Sequence, residues 1–299
     1  MIDINKFSGQ GDDSPPASNN LNELCIYHAN CLDGFASAWV VKQALPDCVF
    51  HPGIYNDPPP DVTELDVVLV DFSYKREVIL EMAKVANSIT IIDHHKTAIE
   101  NLVDLPENVR LIVNLNKSGC ILTWEYFFGT TTEEPPPLLR HIQDRDLWQF
   151  KLPNTNLITL ALSSYDCDFD VWSDIINTVG IGTLVNEGKT LNRKYQKDLY
   201  SLIELTKRNL WIGGQTVPAA NVSHQYASDV GNIMVQETLG AAFAATYYDT
   251  AEWRIFSLRS VDGGMDVSEV AKLYGGGGHK HAAGFRVTRY QAQDFEIAL

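Results

Sequence analysis

A chain of 299 residues, 45% hydrophobic and 20% charged, has globular composition and enough length for one large or two medium domains. Its formal net charge of −15, with no stripe of Lys and Arg, excludes the counterion-displacing grip that holds long nucleic acids, so a phosphate substrate should be small or held locally by metal and a few cations. No apolar run reaches the ~20 residues that span a bilayer, and five scattered cysteines (25, 31, 48, 120 and 167), never paired as CxxC, point to a reducing, cytoplasmic setting rather than a disulfide framework.

Residues 1–21 lack the basic start and apolar core of a signal peptide and read as a solvated, disordered tail. Leu24 to Tyr27 is a short apolar run; residues 28–37 then read as a turn and Ala36 to Leu45 as a helix closed by Pro46. Val67 to Val70 is a second apolar run, closed by Asp71, and residues 75–87 carry apolar positions at helical spacing. Ile89 to Ile92 is a third run, closed by Asp93-His94-His95. Leu111 to Val113 is a fourth, followed by a helix after Ser118, a good N-cap. Lys96 reads as a solvated loop cation.

Residues 133–137, EEPPP, break the chain before a helix near Leu138 that runs into Gln143-Asp144-Arg145-Asp146-Leu147-Trp148. Trp124, Tyr126, Phe127 and Phe128 suit a helix core, whereas Trp148 follows an aspartate pair and could line a cleft. Residues 170–208 read mainly helical with alternating charge signs, as a solvated connecting helix does. After Gly213-Gly214 strands are expected over Val217–Val222, Ala241–Tyr248 and Trp253–Leu258, with a helix over Ser228–Leu239. The predicted organisation is a tail (1–21), a parallel-sheet α/β domain (22–180), a helical linker (181–211) and a smaller α/β domain (212–299).

Apolar runs alternating with helices imply a parallel sheet covered on both faces, and in such sheets ligands lie beyond the carboxyl ends of the strands. Reading each run to its end delivers His28, then Asp71, then Asp93-His94-His95 to one sheet edge. One chemical site is the economical explanation. Carboxylates with imidazoles suit Mn²⁺, with Mg²⁺ as substitute, rather than a closed zinc cage. Two such ions about 3.5–4 Å apart can activate a water for in-line attack at phosphorus. Asp71, alone at its strand end, is the natural carboxylate to bridge them.

A second cluster, YGGGGHKHAAGF from Tyr274, places Gly276, Gly277 and Gly278 before His279, Lys280 and His281. Glycines let backbone amides approach an anion, but the GK[ST] ending of a P-loop is missing. Arg259, in FSLRS, could hold a phosphate bidentately. Cys31 is as readily a small buried hydrophobe as a ligand.

An apolar strand ending in DHH, with GGGGHKHAAGF far downstream and FSLRS before it, resembles the DHH phosphoesterase superfamily with its DHH-associated C-terminal domain, the group of RecJ-like exonucleases and nanoRNases. The resemblance spans the chain after residue 22. It implies an N-terminal catalytic domain holding two divalent ions and a C-terminal substrate-binding domain. By position, Asp33 matches the second aspartate of the first motif and Asp71 the bridging aspartate. Asp93 matches the residue that orients the histidines, His94 a metal ligand, and His95 a ligand neighbour or an acid–base group. Asp144 best matches the last metal aspartate, with Asp146 as the alternative, and His279 matches the substrate-phosphate residue.

One departure concerns the first motif, which usually carries another aspartate two residues before Asp33. Here that position is Cys31, and only His28, Asn30 and Cys31 remain to complete the first metal site. That site is therefore expected to be weaker, or assembled from His28 and Asn30. The expected activity is hydrolysis of short oligonucleotides, dinucleotides or related small nucleotides by metal-activated water. An inorganic pyrophosphatase or polyphosphatase is one alternative, and a catalytically weakened nucleotide sensor another. The sequence leaves the oligomeric state open, a homodimer included.

Overall fold

The structure, a computed structural model, describes residues 22–129 and 134–295. The tail expected over 1–21 and Glu133 of the Pro-rich break lie outside the described residues. The chain divides into two units. The first runs to His94 and resumes over Asn101–Gly188; the second comprises His95–Glu100 and Lys189–Leu299.

The first unit holds β1 (Glu23–His28), α1 (Leu32–Ala44), β2 (Val49–Gly53), β3 (Asp66–Val70), α2 (Arg76–Ala83) and β4 (Ser88–Asp93). The short helix α3 (Lys96–Asn101) falls almost wholly in the second unit. The first unit continues with β5 (Val109–Val113), α4 (Gly119–Phe128), α5 (Pro137–Asp146), α6 (Thr155–Leu162), α7 (Phe169–Asp174) and the start of α8 (Gly180–Thr206). All four strand pairings are parallel, in the order β2-β1-β3-β4-β5. The β-branched sequences DVVLV and SITIID suit strands whose both faces are covered. Because β1 leads outward to β2 and the chain then crosses to β3 on its other side, the order reverses between β1 and β3. That is where an open α/β sheet offers a ligand crevice, and His28 ends β1 while Asp71 directly follows β3.

Helix α1 begins at Leu32, four residues before the expected Ala36. The stretch HANCLDG looks loop-like because its residues are small and polar. Gly34 explains the difference: a Cβ there would strike the His28 carbonyl oxygen and lie 2.7 Å from His28 Cβ, so only glycine lets this turn lie against the end of β1. The core of this unit packs Phe35, Trp39 and Val40 of α1 with Trp124, Leu139, Ile158 and Trp172. Trp124 and Phe128 join it, and Tyr126 and Phe127 border a neighbouring cluster around Val70 and Ile92.

The second unit carries a mixed sheet of β6 (Arg208–Ile212), β7 (Gln215–Asn221), β8 (Ala244–Asp249), β9 (Trp253–Arg259), β10 (Gly277–His279) and β11 (Ala282–Thr288), with helices α9 (Ala227–Glu237) and α10 (Val267–Lys272). The sheet order is β10-β11-β9-β8-β7-β6, and only β7 and β8 run parallel. Helix α8 ends at Thr206, so residues 208–211 of the expected helical linker are the strand β6 instead. Phe243, Phe256, Phe285 and Phe295 lie in the core of this unit. Among the described residues, no helix is long and apolar enough to cross a membrane, and all five cysteines are free thiols.

Candidate metal centre

Four buried side chains of the first unit converge at the carboxyl edge of its sheet. Asp33 comes from the first turn of α1, Asp71 from the residue after β3, and Asp93 and His94 from the end of β4; each is no more than 1% exposed. Asp71 has φ +55, the left-handed region that a residue with a side chain rarely enters. That twist, with the Asp71 amide donating to the Ile92 carbonyl at 2.9 Å, turns the chain sharply out of β3.

The two carboxylate oxygens of Asp71 face different imidazoles. Oδ1 is 3.0 Å from His94 Nε2, and Oδ2 is 3.4 Å from His28 Nδ1. The same His94 Nε2 lies 3.5 Å from Asp146 Oδ2 and 3.7 Å from Asp33 Oδ2. Asp33, His94 and Asp146 each offer a ligand atom within 4.8 Å of the others. Asp93 accepts the His94 backbone amide at 2.7 Å, which fixes the chain as it leaves β4.

Ser118, expected to cap α4, makes no side-chain cap. The cap comes from Asp33, whose carboxylate accepts the amides of Gly119 (2.6 Å) and Cys120 (3.1 Å). Gly119 is the residue the sequence reading missed. A Cβ there would sit 2.5 Å from Asp71 Cβ and 2.8 Å from Asp71 Oδ1, so glycine is what allows the helix start to touch the site carboxylate. A glycine at the first helical position after a strand was the available signal.

Three acids packed around one imidazole set up strong electrostatics. Burial, then the charges of Asp71 and Asp146, push the Asp33 carboxyl up to about 8. Burial also opposes ionisation of Asp71, but hydrogen bonds from His28 and His94 and their charges outweigh it and hold this carboxyl well below the usual range. For His94, burial favours the neutral ring; the charge of Asp146, the hydrogen bond to Asp71 and the charges of Asp71 and Asp33 overcome it and raise the imidazole to about 10. Burial and the charges of Asp71, Asp146 and Asp33 push the Cys31 thiol well up, so it stays protonated beside these acids. Asn30 lies in the β1–α1 turn with φ +56.

Asp146 and Asp144 play different parts. Asp146 reaches the cluster, while Asp144 is engaged by its own loop: its carboxylate accepts the amides of Lys151 (2.8 Å) and Leu152 (3.0 Å) and the Thr155 hydroxyl (2.6 Å). Of the two aspartates, the structure brings the alternative one, Asp146, to His94.

In the second unit the rings of His95 and His279 stack, with centroids 4.7 Å apart and planes 20° from parallel. Gly277 and Gly278 of the glycine run belong to the strand β10, which pairs with β11. Close backbone packing demands them: a Cβ on Gly276 would strike the Gly284 carbonyl, one on Gly277 would meet Thr97 at 2.8 Å, and Gly278 has φ +138. Lys280 is exposed and its carbonyl accepts the Val267 amide. Arg259 donates to Ser228 Oγ at 2.6 Å and to the Leu258 carbonyl at 2.8 Å. Lys96 begins α3 and pairs with Asp266 (2.9 Å) and Glu269 (3.1 Å), so it is a paired helix residue rather than a solvated loop cation.

The chain shares with a solved DHH domain its fold, a five-stranded parallel sheet followed by a mixed-sheet unit. It matches the DHH domain of a member of the S1p family of ribosomal proteins at a TM-score of 0.50 and 14% identity, over 91% of this chain and 84% of that one. It matches the pGpG-specific phosphodiesterase PggH from Vibrio cholerae at the same TM-score and identity, over 91% of this chain and 95% of that one. In sequence it is 28% identical to the uncharacterized protein R106 of Acanthamoeba polyphaga mimivirus, over 90% of this chain and 69% of that protein. No family model matches the sequence.

Proposed function

We propose that this chain is a metal-dependent phosphohydrolase that cleaves short oligonucleotides, dinucleotides or related small nucleotides. The observation that carries the reading is the division of Asp71 between His28 and His94, with Asp33 and Asp146 on the same side of His94. A carboxylate presenting one oxygen to each of two imidazoles has the form of a bridge between two cations. The donor set fits divalent ions on its chemistry. Buried acids that repel one another strongly enough to hold a proton on Asp33 near neutral pH are stabilised by a cation in the proton's place. Oxygen donors with one or two imidazoles favour Mn²⁺, with Mg²⁺ as the substitute.

In this reading Asp33, Asp71, His94 and Asp146 would hold one ion, and Asp71 with His28 would begin the site of another. Cys31 contributes a neutral thiol and Asn30 at most a carbonyl oxygen, which makes the His28 side the weaker site. Divalent ions bound by these residues would supply a water of lowered pKa and positive charge opposite phosphoryl oxygens. The protein supplies the rest. Asp93 fixes the His94 backbone, Gly119 keeps α4 against Asp71, and burial excludes competing water. His95 is the candidate to hold or pass a proton. In the second unit, His279, the amides of Gly276, Gly277 and Gly278, Lys280 and Arg259 are the candidates to hold substrate phosphate.

The phosphodiesterase of like fold, specific for pGpG, supports a small nucleotide as substrate. The test is a panel assay with Mn²⁺ on RNAs of two to five nucleotides, linear and cyclic dinucleotides, pyrophosphate and long single strands. Turnover concentrated on the short nucleotides is expected. Cleavage of pyrophosphate in preference to every nucleotide would replace this reading with that of an inorganic pyrophosphatase, and tight dinucleotide binding without cleavage would replace it with that of a sensor.

A further inference from the structure

The loop that follows Asp146 is built in a way the metal centre does not require. Trp148 (φ +55) is the left-handed residue that closes α5, its amide donating to the Arg145 carbonyl at 3.0 Å; Phe150 (φ +49) takes the same conformation where no helix end calls for it, and a bulky aromatic there must be held in place by the surrounding structure. Asp144 is what holds it. Its carbonyl accepts the Gln149 amide at 2.9 Å and the Phe150 amide at 3.4 Å, and its carboxylate takes the Lys151 and Leu152 amides and the Thr155 hydroxyl. One buried residue thus fixes the backbone from 149 to 152.

The strained turn brings two aromatic rings and a guanidinium together. Trp148 and Phe150 have ring centroids 5.1 Å apart and planes 80° from parallel. Arg145 lies over both, 4.4 Å from the Trp148 centroid and 5.4 Å from that of Phe150. Neither ring belongs to the hydrophobic core, and Phe150 is 39% exposed. Closing α5 accounts for the conformation of Trp148 but not for a second aromatic, Phe150, held left-handed and exposed beside it.

Resting on the proposed function, we infer that Trp148, with Phe150 and Arg145, is a stacking platform for the base of the nucleotide whose phosphate lies at the metal centre. Trp148 is two residues from Asp146, hence within about 7 Å of chain from the residue that reaches His94. That is the reach between a phosphate and the base of its own nucleotide. Aromatic rings recognise any base through its π-face, and a guanidinium adds cation–π attraction and attraction to phosphate. The platform selects for the presence of a base rather than for its identity. Asp144 is a positioning residue that keeps the rings in place.

The test separates binding from cleavage. Calorimetry with Mn²⁺ measures the affinity of the full chain for the dinucleotide pApA carrying a non-hydrolysable methylenephosphonate link, and for the same compound lacking one base. Stacking predicts tighter binding of the base-bearing compound by roughly 5- to 150-fold. Trp148→Ala should erase that preference and Trp148→Phe should keep most of it, with the circular dichroism spectrum unchanged in both. An equal preference in Trp148→Ala and wild type, or no preference in wild type, would overturn the platform. Cleavage of unmodified pApA by wild type is measured in parallel and decides the proposed function alone.

Discussion

His94 Nε2 lies 3.0 Å from Asp71 Oδ1, with both side chains 1% exposed. The contact pairs the end of β4 with the residue after β3, and these neighbouring strands are in register from Asp66↔Ser88 to Val70↔Ile92. Sheet register thus sets the spacing that the proposed chemistry needs. Asp71→Asn keeps the shape and removes the charge. It should abolish Mn²⁺-dependent hydrolysis, with a loss exceeding the about 10- to 100-fold that follows removal of a mere outer partner of a metal ligand. Calorimetric titration with Mn²⁺ should show the loss of binding directly, while circular dichroism stays that of the wild type.

Gly119 gives a prediction that involves no charge. A Cβ 2.5 Å from that of Asp71 cannot be accommodated without displacing α4 or the Asp71 carboxylate. Gly119→Ala improves helix propensity in principle, yet here it should destabilise the unit by about 1–3 kcal/mol through overpacking and lower Mn²⁺ affinity together with activity. A variant of wild-type affinity and raised melting temperature would show that the helix start does not set the site.

Asp144 and Asp146 should separate cleanly. The Asp144 carboxylate serves three donors within its loop, the buried Thr155 hydroxyl and the part-buried amides of Lys151 and Leu152, so Asp144→Ala removes the partner of all three at a cost of about 1–3 kcal/mol. The melting temperature should fall by about 2–4 °C for each kcal/mol lost. The Asp146 side chain is 26% exposed and reaches His94. Asp146→Asn should leave the melting temperature of the metal-free protein nearly unchanged and weaken Mn²⁺ binding. Thermal denaturation and metal titration of the two variants side by side decide the matter.

What the sequence revealed follows from which features are local. Buried parallel strands advertise themselves as β-branched runs, and reading each to its end located His28, Asp71 and Asp93-His94-His95 without any knowledge of tertiary structure. Asp33 and Asp146 lie on helices, where nothing in the local pattern tells an acid that faces His94 from a solvated charge. The choice between Asp144 and Asp146 depends on which way one helix end turns, and that is set by the hydrogen bonds of the loop to 152. The start of α1 and the role of Gly119 were hidden for a related reason. A glycine demanded by a neighbouring element looks, in sequence, like a glycine that breaks a helix. The short strand β10 is hidden on the same ground, because Gly277 is required by packing against Thr97 and Gly278 by packing against Ala282 and Ala283.

The second unit offers a test of its ion pairs that is independent of metal. Asp249 and Arg254 face each other across β8 and β9, with Nε to Oδ1 at 2.7 Å and Nη2 to Oδ2 at 2.9 Å, a two-pronged pair. The hydrogen bonds from Arg254 outweigh partial burial and, with the charges of Arg254, Arg289 and Arg208, hold the Asp249 carboxyl below its ordinary value. A carboxyl whose pKa is lower folded than unfolded stabilises the fold fully above the unfolded value of about 3.9, and that contribution is lost as pH falls through the folded value. For a partly exposed pair the contribution should be no more than about 1 kcal/mol. Asp249→Asn should therefore lower stability at pH 7 by about that amount and differ less from wild type at pH 3. Urea denaturation of both proteins at pH 7, 5 and 3 measures the difference, and a gap that widens toward acid would show that Asp249 is not held as the charged partner of Arg254.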